Sequence, residues 1–269
     1  MLELHILDTG YCLVSEHHLI QGGARRKVAI HAPVFLLRHS QVGWLLWDAG
    51  YAPRMLGATL RWPFWLYRLA TPLRVRADQS VVAQLGRFGI GPDDVGTLFI
   101  SHFHADHIGG LRDFPRTRFV ATAAAYRSIA GSDGLRALRR AFIPELLPDD
   151  FAARLELLPA FSGAEIAPFG ASYDYFGDGS LRLLALPGHA RGQMGALLQT
   201  AHGPLLLAAD GCWLSRSYRE QGRPHPITRL ACDDWQAVGE SIGRLHQFAA
   251  ANPGVRILPT HCPETLGER

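Results

Sequence analysis

Ile100-Ser101-His102-Phe103-His104-Ala105-Asp106-His107-Ile108-Gly109-Gly110 packs three imidazoles and a carboxylate between an apolar run and a Gly-Gly pair. Imidazole and carboxylate are the donors that borderline divalent cations such as Zn²⁺ prefer. Residues two apart on a turn leaving a strand can aim at one point, so His102 and His104 can share a cation. Asp106 and His107 then project toward a neighbouring point as the chain turns into a helix. A solvated loop that happened to hold histidines would not place four ligand-type residues at a strand end.

Outward from this cluster, the same device recurs. Asp48 closes Trp44-Leu-Leu-Trp47, His189 follows Leu183-Leu-Ala-Leu-Pro-Gly188, Asp210 closes Leu205-Leu-Leu-Ala-Ala209, and His261 follows Ile257-Leu-Pro-Thr260. Taken singly, each reads as a turn, cap or loop residue. Taken with the first cluster, they read as one set.

The layout between these points is that of an α/β chain. Apolar runs at 2–7, 34–37, 45–47, 97–100, 181–186, 205–209 and 256–258 predict strands. Helical spacing predicts helices over 78–88, stopped by Gly89, and over 233–251, started by Asp233 and Asp234. No linker divides the sequence, and residues 1–269 are expected to form one domain. Residues 51–77 break the pattern, being aromatic, basic and nearly free of acid. They are expected to form a lid or a dimer contact, with plain packing and an interfacial patch as the alternatives.

Composition narrows the functional classes. Of 269 residues 48% are hydrophobic and 19% charged, enough to fill a core and too apolar for a disordered chain. The formal charge of +3 is too small to point to nucleic-acid binding. No apolar run approaches the roughly 18 residues of a membrane span. The start of the chain lacks a basic region followed by an apolar stretch, and the four cysteines have no CxxC spacing. A cytoplasmic protein with free thiols is the expectation.

The order His102-x-His104-x-Asp106-His107, then His189 within Pro-Gly-His, then Asp210, then His261 resembles the metallo-β-lactamase fold superfamily of hydrolases. The resemblance runs from about Asp48 to His261. It implies a four-layer αββα sandwich with two mixed β-sheets and a metal site at one edge. It implies two divalent cations, Zn²⁺ first, with Fe, Mn or Co as the other candidates. On that pattern His102, His104 and His189 hold the first ion, Asp106, His107 and His261 the second, and Asp210 bridges them. Asp48 would orient His102 or its neighbours from behind. Two such ions make a shared water reactive near neutral pH, and Asp106 can pass its proton to the leaving group. No Ser-His-Asp arrangement is needed for this chemistry.

Within the superfamily, the Gly10-Tyr-Cys12-Leu lead, the Asp48-Ala-Gly50 strand end and the Trp235–Phe248 stretch are similar to the quorum-quenching N-acyl homoserine lactone lactonases. That group commonly has a tyrosine three positions after the bridging Asp, where this chain has Trp213, and an Asp after the last histidine, where it has Cys262. The expectation is therefore a hydrolase opening a lactone or a related acyl ester with an apolar acyl or aryl portion. Trp213, Tyr218, Trp62 and Trp65 are expected to line its substrate site. A thioesterase of a biosynthetic pathway and a metal-binding regulator without turnover are the alternatives. Expected partners are a small-molecule substrate, no nucleic acid, and a second copy of the chain if residues 51–77 form a contact.

Overall fold

Alternation along each apolar run decides which layer a side chain enters. In the computed structural model, which describes residues 1–267, the N-terminal half contributes β1 (Leu2–Ser15), β2 (Lys27–His39), β3 (Gly43–Trp47), β4 (Leu73–Arg74), β5 (Val95–Phe99), β6 (Arg118–Thr122) and β7 (Leu155–Leu158). A separate hairpin pairs β8 (Glu165–Ile166) with β9 (Gly170–Ala171). The C-terminal half adds β10 (Tyr173–Asp174), β11 (Leu181–Ala185), β12 (Met194–Thr200), β13 (Gly203–Ala209) and β14 (Arg256–Pro259).

The strands run in the order β4-β1-β2-β3-β5-β6-β7 in one half and β14-β13-β12-β11-β10 in the other. Pairing is parallel from β3 through β7 and between β13 and β14, and antiparallel at the other neighbours within each half, so both sheets are mixed. The two halves meet in strand pairing at a single position, Leu2 opposite Thr200.

Three apolar clusters separate four layers. Phe35, Leu37, Leu45 and Trp47 from the first sheet meet Leu181, Leu183, Leu205 and Leu207 from the second. Their sequence neighbours point the other way. Val34, Leu36 and Leu46 pack outward with Phe103, Phe114 and Phe119. Leu184, Leu206 and Ala208 pack against Val238, Ile242, Leu245 and Phe248 of the helix Trp235–Ala251. Asp234 caps that helix, accepting from Gln236 N at 2.9 Å and Ala237 N at 3.0 Å. The αββα sandwich is the observed fold.

Some boundaries differ from the sequence reading. β1 and β2 run far past 2–7 and 34–37, because residues 11–15 and 27–31 pair with each other beyond a bulge near Gly10, whose φ is +111°. The stretch 78–88 is not one helix. Ser80 caps Ala83 N and starts the helix Val81–Leu85, with 3₁₀ turns at Ala77–Gln79 and Gly86–Phe88 on either side. β6, β7 and β12 have no counterpart among the predicted strands.

Residues 51–77 fold into the short helices Arg54–Ala58 and Trp65–Ala70 followed by β4. Met55, Ala58, Tyr67 and Leu73 enter the outer core of the first sheet, while Leu60, Trp62, Trp65 and Leu69 face solvent. No helix of the described residues is long and apolar enough to cross a membrane.

Candidate metal centre

Strands β3, β5, β11, β13 and β14 each end just before a polar residue of the set: Asp48, the His102–His107 cluster, His189, Asp210 and His261. Ligands gather outside the carboxyl ends of strands in open α/β sheets because loops there can converge without breaking the ladder. The Gly-Gly after His107 has a steric origin. A Cβ at Gly109 would lie 2.6 Å from Gly50 O, and one at Gly110 would lie 2.6 Å from Ala49 O. Only glycines let the short helix Ala105–Ile108 seat against the 49–52 turn, where Ala49 N donates to His107 O at 2.7 Å.

The structure brings all seven side chains of the predicted ligand set together. Donor atoms of His102, His104 and His189 lie within 4.8 Å of one another, as do those of His102, His107 and Asp210, and those of Asp106, His107 and His261. Asp210 Oδ2 sits 3.1 Å from His189 Nε2 and 3.1 Å from His261 Nε2, so its carboxylate faces both groups. Asp106 is the most open of the set, with Oδ2 3.5 Å from His261 Nε2 and 4.0 Å from His107 Nε2.

The donors are held from behind. Asp48, buried and at φ +63°, accepts from Ser101 N and Ser101 Oγ, each at 2.8 Å, and from His107 Nδ1 at 2.8 Å. Ser101 Oγ is also 3.0 Å from His102 Nδ1. His261 Nδ1 donates to His31 O at 2.6 Å. Each bond at one ring nitrogen fixes which way the other points. The sequence reading gave Asp48 this orienting place but missed Ser101 and the His31 carbonyl. Ser101 lies inside the motif, whereas a backbone carbonyl has no sequence signature.

Charge divides the centre into two sides. Burial drives His102 and His189 well below the usual imidazole range and His104 down to about 4. That trio is neutral and offers lone pairs. Burial pulls His107 and His261 the same way, but the carboxylates of Asp48, Asp210 and Asp106 raise His107 well above the usual range, and Asp210 raises His261. Burial would lift the Asp210 carboxyl, yet the charges of His261 and His107 hold it well below.

The chemistry of the donors fits divalent cations. His102 Nε2, His107 Nε2 and Asp210 Oδ1 are buried without a hydrogen-bond partner. Although His107 Nε2 and Asp210 Oδ1 are 3.3 Å apart, their geometry makes no bond. His104 Nδ1 and His189 Nε2 stand 2.8 Å apart, within hydrogen-bond distance, so the two ring nitrogens face the same point. An unmet buried polar atom costs about 1–3 kcal/mol, so three around one point mark a place built for something electrophilic. A nitrogen and carboxylate set suits Zn²⁺ first and Fe, Mn or Co next.

A cavity of about 810 Å³ opens over His104 and His189. None of the four expected substrate contacts is among the side chains that line this cavity. Trp213 lies beside the centre, its ring edge-on to His189 at 5.6 Å, but its single N–H donates to Asp210 Oδ2 at 3.0 Å. Tyr218 is buried in the cluster under the helix Trp235–Ala251 and lines a different hollow of about 250 Å³. Trp62 and Trp65 are 65% and 41% exposed, and neither lines the cavity over the imidazoles. The physical reason is the helix Trp65–Ala70, which turns Tyr67 inward and leaves the indoles outside.

Comparison with known proteins agrees with this geometry. The model of the metallo-beta-lactamase superfamily matches residues 31–211. The N-acyl homoserine lactonase AttM of Azorhizobium caulinodans is 29% identical over 233 residues, covering 83% of this chain and 81% of its own. The gamma-lactamase MBL2 of Gibberella moniliformis is 31% identical over 58% of this chain and 64% of its own. Among solved structures, a variant of AiiA from B. thuringiensis with N-decanoyl-L-homoserine at its active site superposes with a TM-score of 0.73 at 18% identity, over 98% of this chain and 94% of its own.

Proposed function

The chain belongs to the metallo-β-lactamase superfamily and is a metal-dependent hydrolase; on that premise we propose that it opens a lactone, or cleaves a related acyl ester, of a small-molecule substrate at a centre of two divalent cations. His102, His104 and His189 would hold one ion, Asp106, His107 and His261 the other, with Asp210 between them. Bound divalent cations polarise an ester carbonyl and make water nucleophilic near neutral pH.

The chain's own residues do the rest. Asp48 keeps the His107 ring in place and, through Ser101, reaches the His102 ring. Asp106, the more exposed carboxylate, accepts the proton of the attacking water. It returns that proton to the ring oxygen as the acyl carbon–oxygen bond breaks, leaving a hydroxy acid. The Trp213 N–H bonded to Asp210 holds that carboxylate against rotation.

The observation that carries the reading is the convergence of seven imidazole and carboxylate side chains, two of which, His104 and His189, open onto a cavity. The similarity to AttM supports the lactone as substrate class. The test joins metal analysis to a panel of lactones, aryl esters and acyl thioesters. About two equivalents of metal per chain, and lactone or aryl-ester turnover that ends on chelation, are the expected results. One equivalent or none would remove the second-ion assignments. Thioesters turned over faster than lactones would make the protein a thioesterase, and no turnover of any member by the loaded protein would leave a regulator.

A further inference from the structure

Phe103, Ile129 and Leu230 give the cavity over His104 and His189 some apolar lining, but its commonest side chain is arginine. Arg136, Arg139, Arg140, Arg191 and Arg229 line it, against the single acid Asp233. Arg136 lies on the helix Gly134–Leu138, with Arg139 and Arg140 just after it. Arg191 lies in the loop between β11 and β12, and Arg229 in the 3₁₀ turn Pro226–Ala231. Only Arg191 has an acidic partner, Asp233 Oδ2 at 3.3 Å. The guanidinium groups of Arg136, Arg139, Arg140 and Arg229 make no ion pair or hydrogen bond with any described residue.

Elsewhere on the surface several arginines sit on carboxylates, as Arg219 does on Glu264 and Arg76 on Asp78; here four without such a partner line one hollow. Unpaired positive groups crowded round one hollow repel each other unless an anion lies between them. The hollow is concave and adjoins two of the metal-facing imidazoles, so the anion it suits is part of a small molecule.

We propose that this wall is a specificity site for an oxyanion, a carboxylate or a phosphate, carried by the substrate away from the bond that is cut. The proposal rests on the hydrolase reading above and names the substrate class within it. Guanidinium forks match both oxyanions through paired N–H donors. They would hold the charged end of the substrate at the mouth while its ester carbonyl reaches the donors at the floor. Field lines from the same groups would raise the rate of encounter and make it fall with added salt.

The experiment uses the metal-loaded protein and three aryl esters of equal length, ending in a carboxylate, a phosphate or an uncharged amide. The expected result is a preference of about tenfold or more in kcat/KM for one or both anionic esters, carried mostly by KM and reduced by salt. In Arg136→Gln/Arg139→Gln/Arg140→Gln, and separately in Arg229→Gln, that preference should shrink toward unity. Lysine at the same positions should restore part of it. Which anionic ester gains more identifies the oxyanion.

A readout without turnover separates this proposal from the hydrolase reading. Calorimetric binding of two non-hydrolysable amides, one ending in a carboxylate and one uncharged, should favour the charged member in the parent protein and not in the triple variant. Esters cleaved with no charge preference would overturn the proposal and leave the hydrolase standing. Selective anion binding without any turnover would do the reverse. Binding of heparin alone, with neither small anion bound, would make the wall a dock for a polyanion and overturn the proposal.

Discussion

The floor and the wall of one cavity are built in opposite ways. The floor is His104 and His189, with His102, His107 and Asp210 behind them; all are buried and follow strand ends, and several are gripped by a second bond. On the wall, Arg136, Arg139 and Arg229 are exposed, stand on short helices or loops, and are gripped by nothing. The floor has to hold donor atoms to fractions of an ångström, which needs sheet ends and buried bonds. The wall has only to present charge, which loops can do and can change without disturbing the floor.

On this division, effects decline from floor to wall to outer surface. The largest loss is expected for Asp106→Asn, which keeps the shape of the side chain and removes its capacity to carry a proton. A drop in kcat of about 10²–10⁴-fold with the fold retained by circular dichroism is expected; unchanged kcat would refute the proton role. Next comes Asp48→Asn, which touches no substrate. Loss of the charge beside His107 should weaken metal retention or turnover by about 10–100-fold, read by metal content under graded chelator. An equal loss of activity with metal fully retained would move Asp48 from orienting a ligand to some other role.

The smallest effect is expected at the outer face. Trp62→Ser/Trp65→Ser should change kcat/KM less than about threefold, since neither indole reaches the cavity and surface changes are near neutral. A loss beyond tenfold would return these indoles to the substrate wall. Size-exclusion of the same variant checks the other expectation for residues 51–77, because a shift from dimer to monomer would place them in a contact between copies.

The same division explains what could be read before any fold was known. Asp48, His189, Asp210 and His261 each closed an apolar run, and a strand that must end at a site announces its last residue. The run Val34–Leu37, apolar at every position, was legible as a strand, but which of its side chains enters which layer was not. The arginine wall had no such mark. Arg136 and Arg229 belong to different elements far apart in sequence, and on a helix a solvated arginine and a substrate-facing one look alike. Trp62 and Trp65 misled for a related reason. Segment 51–77 is aromatic on both faces, and composition cannot say that Tyr67 rather than its neighbours turns inward. β12 escaped notice because its run Met194-Gly-Ala-Leu-Leu-Gln-Thr200 contains a glycine and no β-branched residue before its last position.

One detail of the architecture has a wider reach. The two halves of the sandwich share one strand-ladder pair, Leu2 with Thr200, and a few loop hydrogen bonds such as Met194 N to Ser101 O, yet the donor set draws Asp106 and His107 from one half and His189, Asp210 and His261 from the other. A bound ion would thus rivet the halves together across their seam, and a misassembled chain would have only part of a chelate to offer. Retention of metal through purification therefore works as a gauge of correct assembly, and its loss on warming should come with the parting of the halves rather than after it.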